Sequence, residues 1–291
     1  MEAIQAKDRV KAGGKVSWFE VFRRKWIVLF GGLLLLLTLF AAIFAPYLAP
    51  YDSRRIEVSI RLQGPTWAHI FGTDDFGRDV FSRILMGTRI SLLVGAAVMF
   101  FTSLLGAVLG LLGGYYKSLD NILMRLMDGL MALPAIVLAI ALMASLGPSV
   151  VNVIISLSIV FMPRTARLIR SVVLVGVELD YVQAARALGA RGFRIMTQHL
   201  FPNCIPPLIV QSTFIFAYSI LAEASLSFLG VGVSPEIPTW GNIISSGRMF
   251  IREAIWITLF PGLAIVVTCL ALNLLGDGLR DALDPKMREL I

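Results

Sequence analysis

Charged side chains are scarce in this sequence: they make up 15% of 291 residues, against roughly 25% in a soluble domain. That deficit excludes an ordinary soluble fold with a solvated shell. Cysteine is nearly absent too. Cys204 and Cys269 lie far apart, which rules out a disulfide framework and any metal-type cysteine spacing. The two histidines, His69 and His199, are isolated, so no zinc or iron site is indicated. No aromatic-plus-basic nucleic-acid motif accompanies the net charge of +7. "GTDDFGRD" has the glycines of a phosphate loop but lacks its Lys-Ser/Thr pair, and Asp79 after Arg78 would repel phosphate. The carboxylates of Asp74, Asp75 and Asp79 have no calcium-loop spacing. No nucleophile–base set stands out, no long internal repeat is evident, and no cleavable signal peptide is expected.

What the chain has instead is hydrophobic length, with 57% of residues hydrophobic. Apolar runs of about 18 or more residues read as membrane-spanning helices. Six are expected: Trp26–Ala45, Ile90–Gly113, Ile122–Leu146, Val150–Val173, Leu208–Leu229 and Ile255–Leu275. Pro163, Arg164, Arg167 and Arg170 interrupt the fourth, so its membrane part is expected to end near Pro163 and continue as an interfacial amphipathic helix. Pro134 and Pro261 are expected to kink spans three and six. Ser91, Gly95, Gly106, Gly110 and Gly114 offer small residues through which helices pack closely. The fold class is thus all-α integral membrane protein, one domain over residues 26–276. It is flanked by an N-terminal segment 1–25 and a tail 277–291, a short charged helix that should stop at Pro285.

Lysine and arginine set the orientation. Lys7, Arg9, Lys11, Lys15, Arg23, Arg24 and Lys25 precede the first span; Arg164, Arg167, Arg170, Arg186, Arg191 and Arg194 lie in the segment from Pro163 to Pro207. Six spans put both groups and the tail on one side, read as cytoplasmic. The loops 46–89 and 230–254 then face outward.

"YVQAARALGARGFRIMTQHLFPN", residues 181–203, is the polar island in the cytoplasmic loop 174–207. Asp180 is a candidate N-cap with Gln183 three residues on, a capping-box arrangement. Gly189 suits the left-handed position past a helix end. A two-turn helix, Tyr181 to Leu188, should present Tyr181, Ala184, Ala185 and Leu188 on one face. A second helix, Phe193 to Leu200, should end at Pro202. Such a compact protrusion suits docking to a partner as well as lying on lipid.

This segment resembles the EAA loop of permease subunits of ATP-binding cassette importers, in which Glu-Ala-Ala precedes Gly and a later Leu-Pro at fixed spacing. Ala184, Ala185, Gly189 and Pro202 match; Gln183, His199 and Phe201 depart, and Gln183 keeps the capping role without the charge. "FGTDDFGRDVFSRILMGTRISL", "ILAEASLSFLGVG" and "GDGLRDALDPK" extend the resemblance to the C-type permeases of dipeptide, oligopeptide and nickel importers, from about residue 20 to the end. The resemblance implies a bacterial or archaeal inner-membrane subunit of the type I importer fold. Its implied partners are a paralogous second permease, two cytoplasmic ATPases that hold ATP and Mg, and an external substrate-binding protein. This chain itself would hold no cofactor and catalyse nothing. Asp180, Tyr181, Gln183, Ala184, Ala185, Arg186, Leu188, Gly189 and Arg191 would form the coupling helix, with Arg186 and Arg191 toward acidic groups of the ATPase. Asp74, Asp75 and Arg78 would lie on an external scoop touching the binding protein. Dipeptides, oligopeptides, glutathione and nickel chelates are the implied substrates.

Outside those motifs, Glu223 is the one acid well inside a span. It reads either as a pathway or inter-subunit contact or as a structural partner to a hydroxyl such as Ser225. Arg125 and Asp128 are expected to pair along span three, and Asp79 with Arg83 at the start of span two. The rival class is a stand-alone secondary transporter or channel, which would want intramembrane charge networks or inverted repeats.

Overall fold

The computed structural model describes residues 18–283. Its long helices are α1 (Trp18–Leu48), α2 (Val80–Tyr115), α5 (Val150–Val177), α7 (Gly192–Phe228) and α9 (Trp256–Leu283), each with an apolar stretch long enough to cross a membrane. Shorter helices are α3 (Lys117–Met131), α4 (Ala135–Leu146), α6 (Asp180–Ala187) and α8 (Trp240–Gly247). The four positively charged residues Lys7 to Lys15 and the stop expected at Pro285 lie outside the described residues.

Contact register between helices gives the topology. Gly106, Gly110 and Gly114 of α2 lie against Thr165, Ile169 and Val173 of α5, so the numbers rise together and the two helices run parallel. A side chain at these glycines has no room: a Cβ at Gly106 would lie 2.6 Å from the Thr165 Cβ, and one at Gly110 2.6 Å from the Ala166 carbonyl oxygen. Small residues thus let the two backbones touch, where dispersion rather than water expulsion holds helices together. Elsewhere the register reverses. Ser103 bonds Ser212 at 2.7 Å and Ser91 reaches Glu223, so α2 and α7 are antiparallel. Cys269 meets Ala217 and Gly276 faces Thr213, so α7 and α9 are antiparallel. Gly31 packs on Leu274 and Gly278 on Val28, so α1 and α9 are antiparallel.

One conclusion follows. Because α5 runs parallel to α2, the segment between them must carry the chain back across. That segment is α3 plus α4, bent by 92° at the break. The chain therefore passes six times, and residue 18, residue 283 and α6 share one face of the bundle.

Prolines act differently from one another. Pro134 confines Leu133 to extended backbone, and the expected third span splits there into an amphipathic α3 and a greasy α4. Pro163 does not break its helix: as expected, α5 continues beyond it, for fourteen residues, with Pro163 buried. Membrane helices tolerate proline where neighbours re-satisfy the freed backbone. Nor does Pro202 end a helix. The chain widens to a π-helical turn over Met196–Leu200 and runs on through Pro202, Pro206 and Pro207. A π turn displaces the carbonyls a proline ring would strike. α2 starts at Val80 rather than Ile90, and α9 ends at Leu283 rather than Leu275.

Ion pairs brace the break. Arg170 grips Asp120 through Nε at 2.5 Å and Nη2 at 2.6 Å. Arg167 pairs with Asp128, so the expected pairing of Asp128 along its own helix with Arg125 gives way to one across to α5.

Candidate functional site

At the face shared by residues 18 and 283, α6 stands out from the bundle. Val182 is its one buried residue, packed among Ile169, Val173, Ile195 and Leu200. One apolar anchor fixes the helix and leaves the rest outward. Gln183, Ala184, Arg186 and Ala187 are exposed, Tyr181 is half exposed, and Leu188 is 88% exposed. The N-cap is Leu179 rather than Asp180; Asp180 opens the first turn, where its charge favours the helix N-terminus. Gln183 makes no capping box: its amide donates to the Val177 carbonyl at 2.8 Å, tying α6 back to the end of α5. The far end is a Schellman motif. Ala190 N–H donates to Ala185 O and Gly189 N–H to Arg186 O, both at 3.0 Å, with Gly189 at φ +81°.

Neighbours hold this protrusion rigid. The Tyr181 hydroxyl donates to the His199 carbonyl at 3.2 Å and accepts from Asn203 Nδ2 at 2.5 Å. The Arg186 guanidinium lies 5.7 Å from the Tyr115 ring centroid. Arg191 and Phe193 are exposed beside it, Phe193 at 74%. The result is a stiff two-turn rod with an apolar tip and basic flanks. Neither Val182 nor Tyr115 stood out in the sequence, although Val182 is the one β-branched residue in an alanine-rich turn.

On the opposite face, Asp74 organises the loop before α2. It is fully buried and accepts from the backbone N–H of Phe76 and Arg78 at 2.9 Å, from Arg78 Nε at 2.7 Å, and from Arg83. Arg83 therefore pairs with Asp74, not with Asp79. Asp79 instead caps α2, accepting from Ser82 N–H at 2.8 Å, and meets His69 Nδ1 at 2.9 Å. With no exposed surface, Asp74 acts within the loop; the surface nearby belongs to Asp75, Arg78 and Phe76, over whose ring Arg78 lies at 4.7 Å. Burial and the adjacent Asp74 raise the Asp75 carboxyl above its ordinary range, and Arg78 opposes them.

Glu223 is fully buried near the end of α7 away from α6. It accepts from Ser227 Oγ at 2.8 Å and Ser91 Oγ at 3.3 Å, with the Thr239 hydroxyl also against it. Ser91 Oγ in turn accepts from Trp240 N–H at 3.3 Å. Ser225 is not its partner; that hydroxyl donates to the Leu221 carbonyl. The carboxyl thus joins α2, α7 and the start of α8.

A six-pass helical bundle with two broken or widened helices and a capped rod on one face defines a polytopic all-helical membrane protein. In fold the chain is similar to the MetNI methionine ABC transporter in inward-facing conformations, with TM-score 0.58 and 18% identity, over 69% of this chain and 96% of that one. The chain belongs to the family of binding-protein-dependent transport system inner membrane components, which matches residues 103–289, and residues 17–65 match the N-terminal transmembrane domain of oligopeptide transport permease C. It is similar to the dipeptide transport system permease DppC of Escherichia coli K12, 45% identical over 280 residues, 94% of this chain and 93% of that one. The di/tripeptide permease DppC of Pseudomonas aeruginosa UCBPP-PA14 is 44% identical over 267 residues, 89% and 88% of the two chains. The glutathione transport system permease GsiD of Pectobacterium atrosepticum is 43% identical over 280 residues, 94% and 93%.

Proposed function

We propose that this permease passes short peptides into the cytoplasm as one half of a paired membrane channel. The supporting observation is identity of 43–45% across nearly the whole chain to permeases named for dipeptides, di/tripeptides and glutathione, itself a tripeptide. In this reading α6 is the handle. Two cytoplasmic ATPases, which hold ATP and Mg, grip Tyr181, Ala184, Ala185 and Leu188, with acidic groups toward Arg186 and Arg191. The rod moves as a unit because Val182, Gln183 and Tyr181 tie it to α5 and α7, so a rigid-body shift reaches the spans. Both chain ends then lie in the cytoplasm, and the Asp74 loop faces outward. A paralogous permease completes the pathway, and a binding protein delivers substrate to the outer face beside Asp75 and Arg78. This subunit contributes geometry, not hydrolysis.

Reconstitution tests the reading. The chain is co-expressed with its partner permease and two ATPases, and the complex is placed in vesicles with the binding protein and ATP. Uptake of a labelled dipeptide that needs all the subunits is expected. Uptake by this chain alone, driven by an ion gradient, would overturn it in favour of a secondary transporter.

A further inference from the structure

We infer that Arg164, with Gln211 and Tyr218, is the rung of the translocation path that receives the peptide's main-chain carboxylate; the inference rests on the peptide reading above.

Three cavities, of 420, 170 and 170 Å³, follow one another along α7 and α5, the first closed by Arg280 and Leu283 of α9 and the third by Ala135, Ile136 and Ala139 of α4. Gln211 and Phe214 line both the first and the second; Phe161 and Tyr218 line both the second and the third. They therefore adjoin one another along α7. On α7 the groove extends from Pro206 to Ser225, a rise of about 28 Å at 1.5 Å per residue. That is close to the roughly 30 Å thickness of a bilayer core. A groove confined to one leaflet, or one facing lipid, has no need of such length together with a polar lining. Gln211, Tyr218 and Ser225 fall seven residues apart, one above another on a single face of α7. That face is otherwise apolar, with Phe161 and Phe214 at the joins.

Arg164 opens onto the middle cavity. It lies at the centre of α5 and is exposed. The next two arginines along that helix are neutralised, Arg167 by Asp128 and Arg170 by Asp120. Arg164 has no carboxylate among the described residues. Wherever the bilayer falls along α5, a guanidinium beside an apolar groove is costly unless it meets water or an anion. Peptides differ in their side chains, but each free peptide ends in a carboxylate. A guanidinium takes that group in a bidentate grip. The Gln211 amide and Tyr218 hydroxyl can bond the adjoining amide, and the two phenylalanines tolerate varied side chains. Recognition of the common end, with an apolar surround, suits a permease that must admit many sequences and release them.

The test uses the assembled transporter in vesicles. Arg164→Cys and Tyr218→Cys are treated with a charged, membrane-impermeant methanethiosulfonate, and labelling on this chain is read by mass spectrometry; Leu37→Cys on the outer side of α1 serves as the lipid-facing control. Labelling at 164 and 218, absent at 37 and slowed by dialanine during turnover at 218, where Arg164 is retained, is expected. Dialanine uptake by Arg164→Gln should fall about tenfold or more, the loss of one charge-assisted bond, with Arg164→Lys recovering part. No labelling at 164, or labelling at 218 unaffected by dialanine, overturns the assignment. If Arg164→Gln keeps the subunits from assembling, the arginine serves an acidic neighbour instead, and the assignment fails. A wild-type assembly that carries no peptide sinks the substrate reading and this assignment with it. Wild-type uptake that Arg164→Gln leaves unchanged sinks this assignment alone.

Discussion

Buried charge in this molecule is settled residue by residue, and Asp74 is the clearest case. Four donors converge on one carboxylate, two of them backbone N–H groups and two of them arginines. Arg83 is itself almost fully buried. Removing Asp74 therefore strands a buried cation, which costs about 3–5 kcal/mol, whereas replacing both partners by apolar residues is often close to neutral. Asp74→Ala is expected to lower the melting temperature of the detergent-solubilised protein sharply. Asp74→Leu combined with Arg83→Met is expected to lower it much less. Additive losses in that double-mutant cycle would show that the two residues do not form a unit. Asp75 next door behaves oppositely. Its carboxyl is raised above its ordinary value of 3.8, chiefly by burial, so the ionised form is less favourable folded than unfolded. Below 3.8 the group is neutral in both states and nothing is lost. As pH rises through that value toward the raised one, stability falls, and the deficit persists at neutral pH. Asp75→Asn should thus be more stable than wild type at neutral pH, the gap closing below about pH 4. The partners of these acids were not legible beforehand. "DDFGRD" allows several i,i+3 and i,i+4 pairings, and only the fold of the loop, with Gly72 and Gly77 at positive φ, selects Arg83 for Asp74 over Asp79.

Elements show a similar division between what sequence states and what packing decides. The two-turn rod was readable because its stop signal is local: Gly189 is where only a residue tolerant of positive φ ends a helix cleanly. Its start lies one residue before the capping signal, since Leu179, which has no capping side chain, takes the extended N-cap position and the Gln183 side chain turns to Val177 instead of back to Asp180. Prolines were partly legible. Pro134 breaks its helix and the helix of Pro163 continues, both as the sequence suggests. Pro202 differs: the chain widens to a π turn before it and the helix runs on, which no local signal announces. Gly189 yields the prediction at this scale. Gly189→Ala forces a Cβ into the left-handed region, a cost of about 1–2 kcal/mol, which frays the last turn while the Schellman bonds can still form. Gly189→Pro removes the donor to Arg186 and forbids the φ altogether. ATPase stimulation by loaded binding protein should fall modestly in Gly189→Ala and be lost in Gly189→Pro, with membrane insertion unchanged in both. Normal stimulation in Gly189→Pro would show that the end of α6 carries no force.

For the whole molecule the decisive fact is a register. Hydropathy marks long apolar stretches but says nothing about which helices run parallel. The glycine contacts say that α2 and α5 do, and so the bent pair of α3 and α4 has to count as one crossing. Had that pair been an excursion from one face, α5 would have met α2 in the reverse register. Six passes bring residue 18, α6 and residue 283 to one face and Trp67, which is fully exposed, to the other. The direction of the whole set then depends on lysine and arginine. Seven of them precede residue 26, and no stretch on the opposite face holds such a density. Positive segments stay on the cytoplasmic side, so a cysteine at Leu188 should react with an impermeant thiol reagent only in inside-out vesicles. One at Trp67 should react only in right-side-out cells. Both positions are exposed, so silence from either means that another subunit or the membrane covers it, not that the side chain is packed away. If both react from the same side, the bent pair does not cross, and the parallel packing of α2 and α5 must be abandoned. If the two sides are exchanged, the six passes stand but α6 projects outward, beyond the reach of any ATP-driven partner, and its role as a handle is lost.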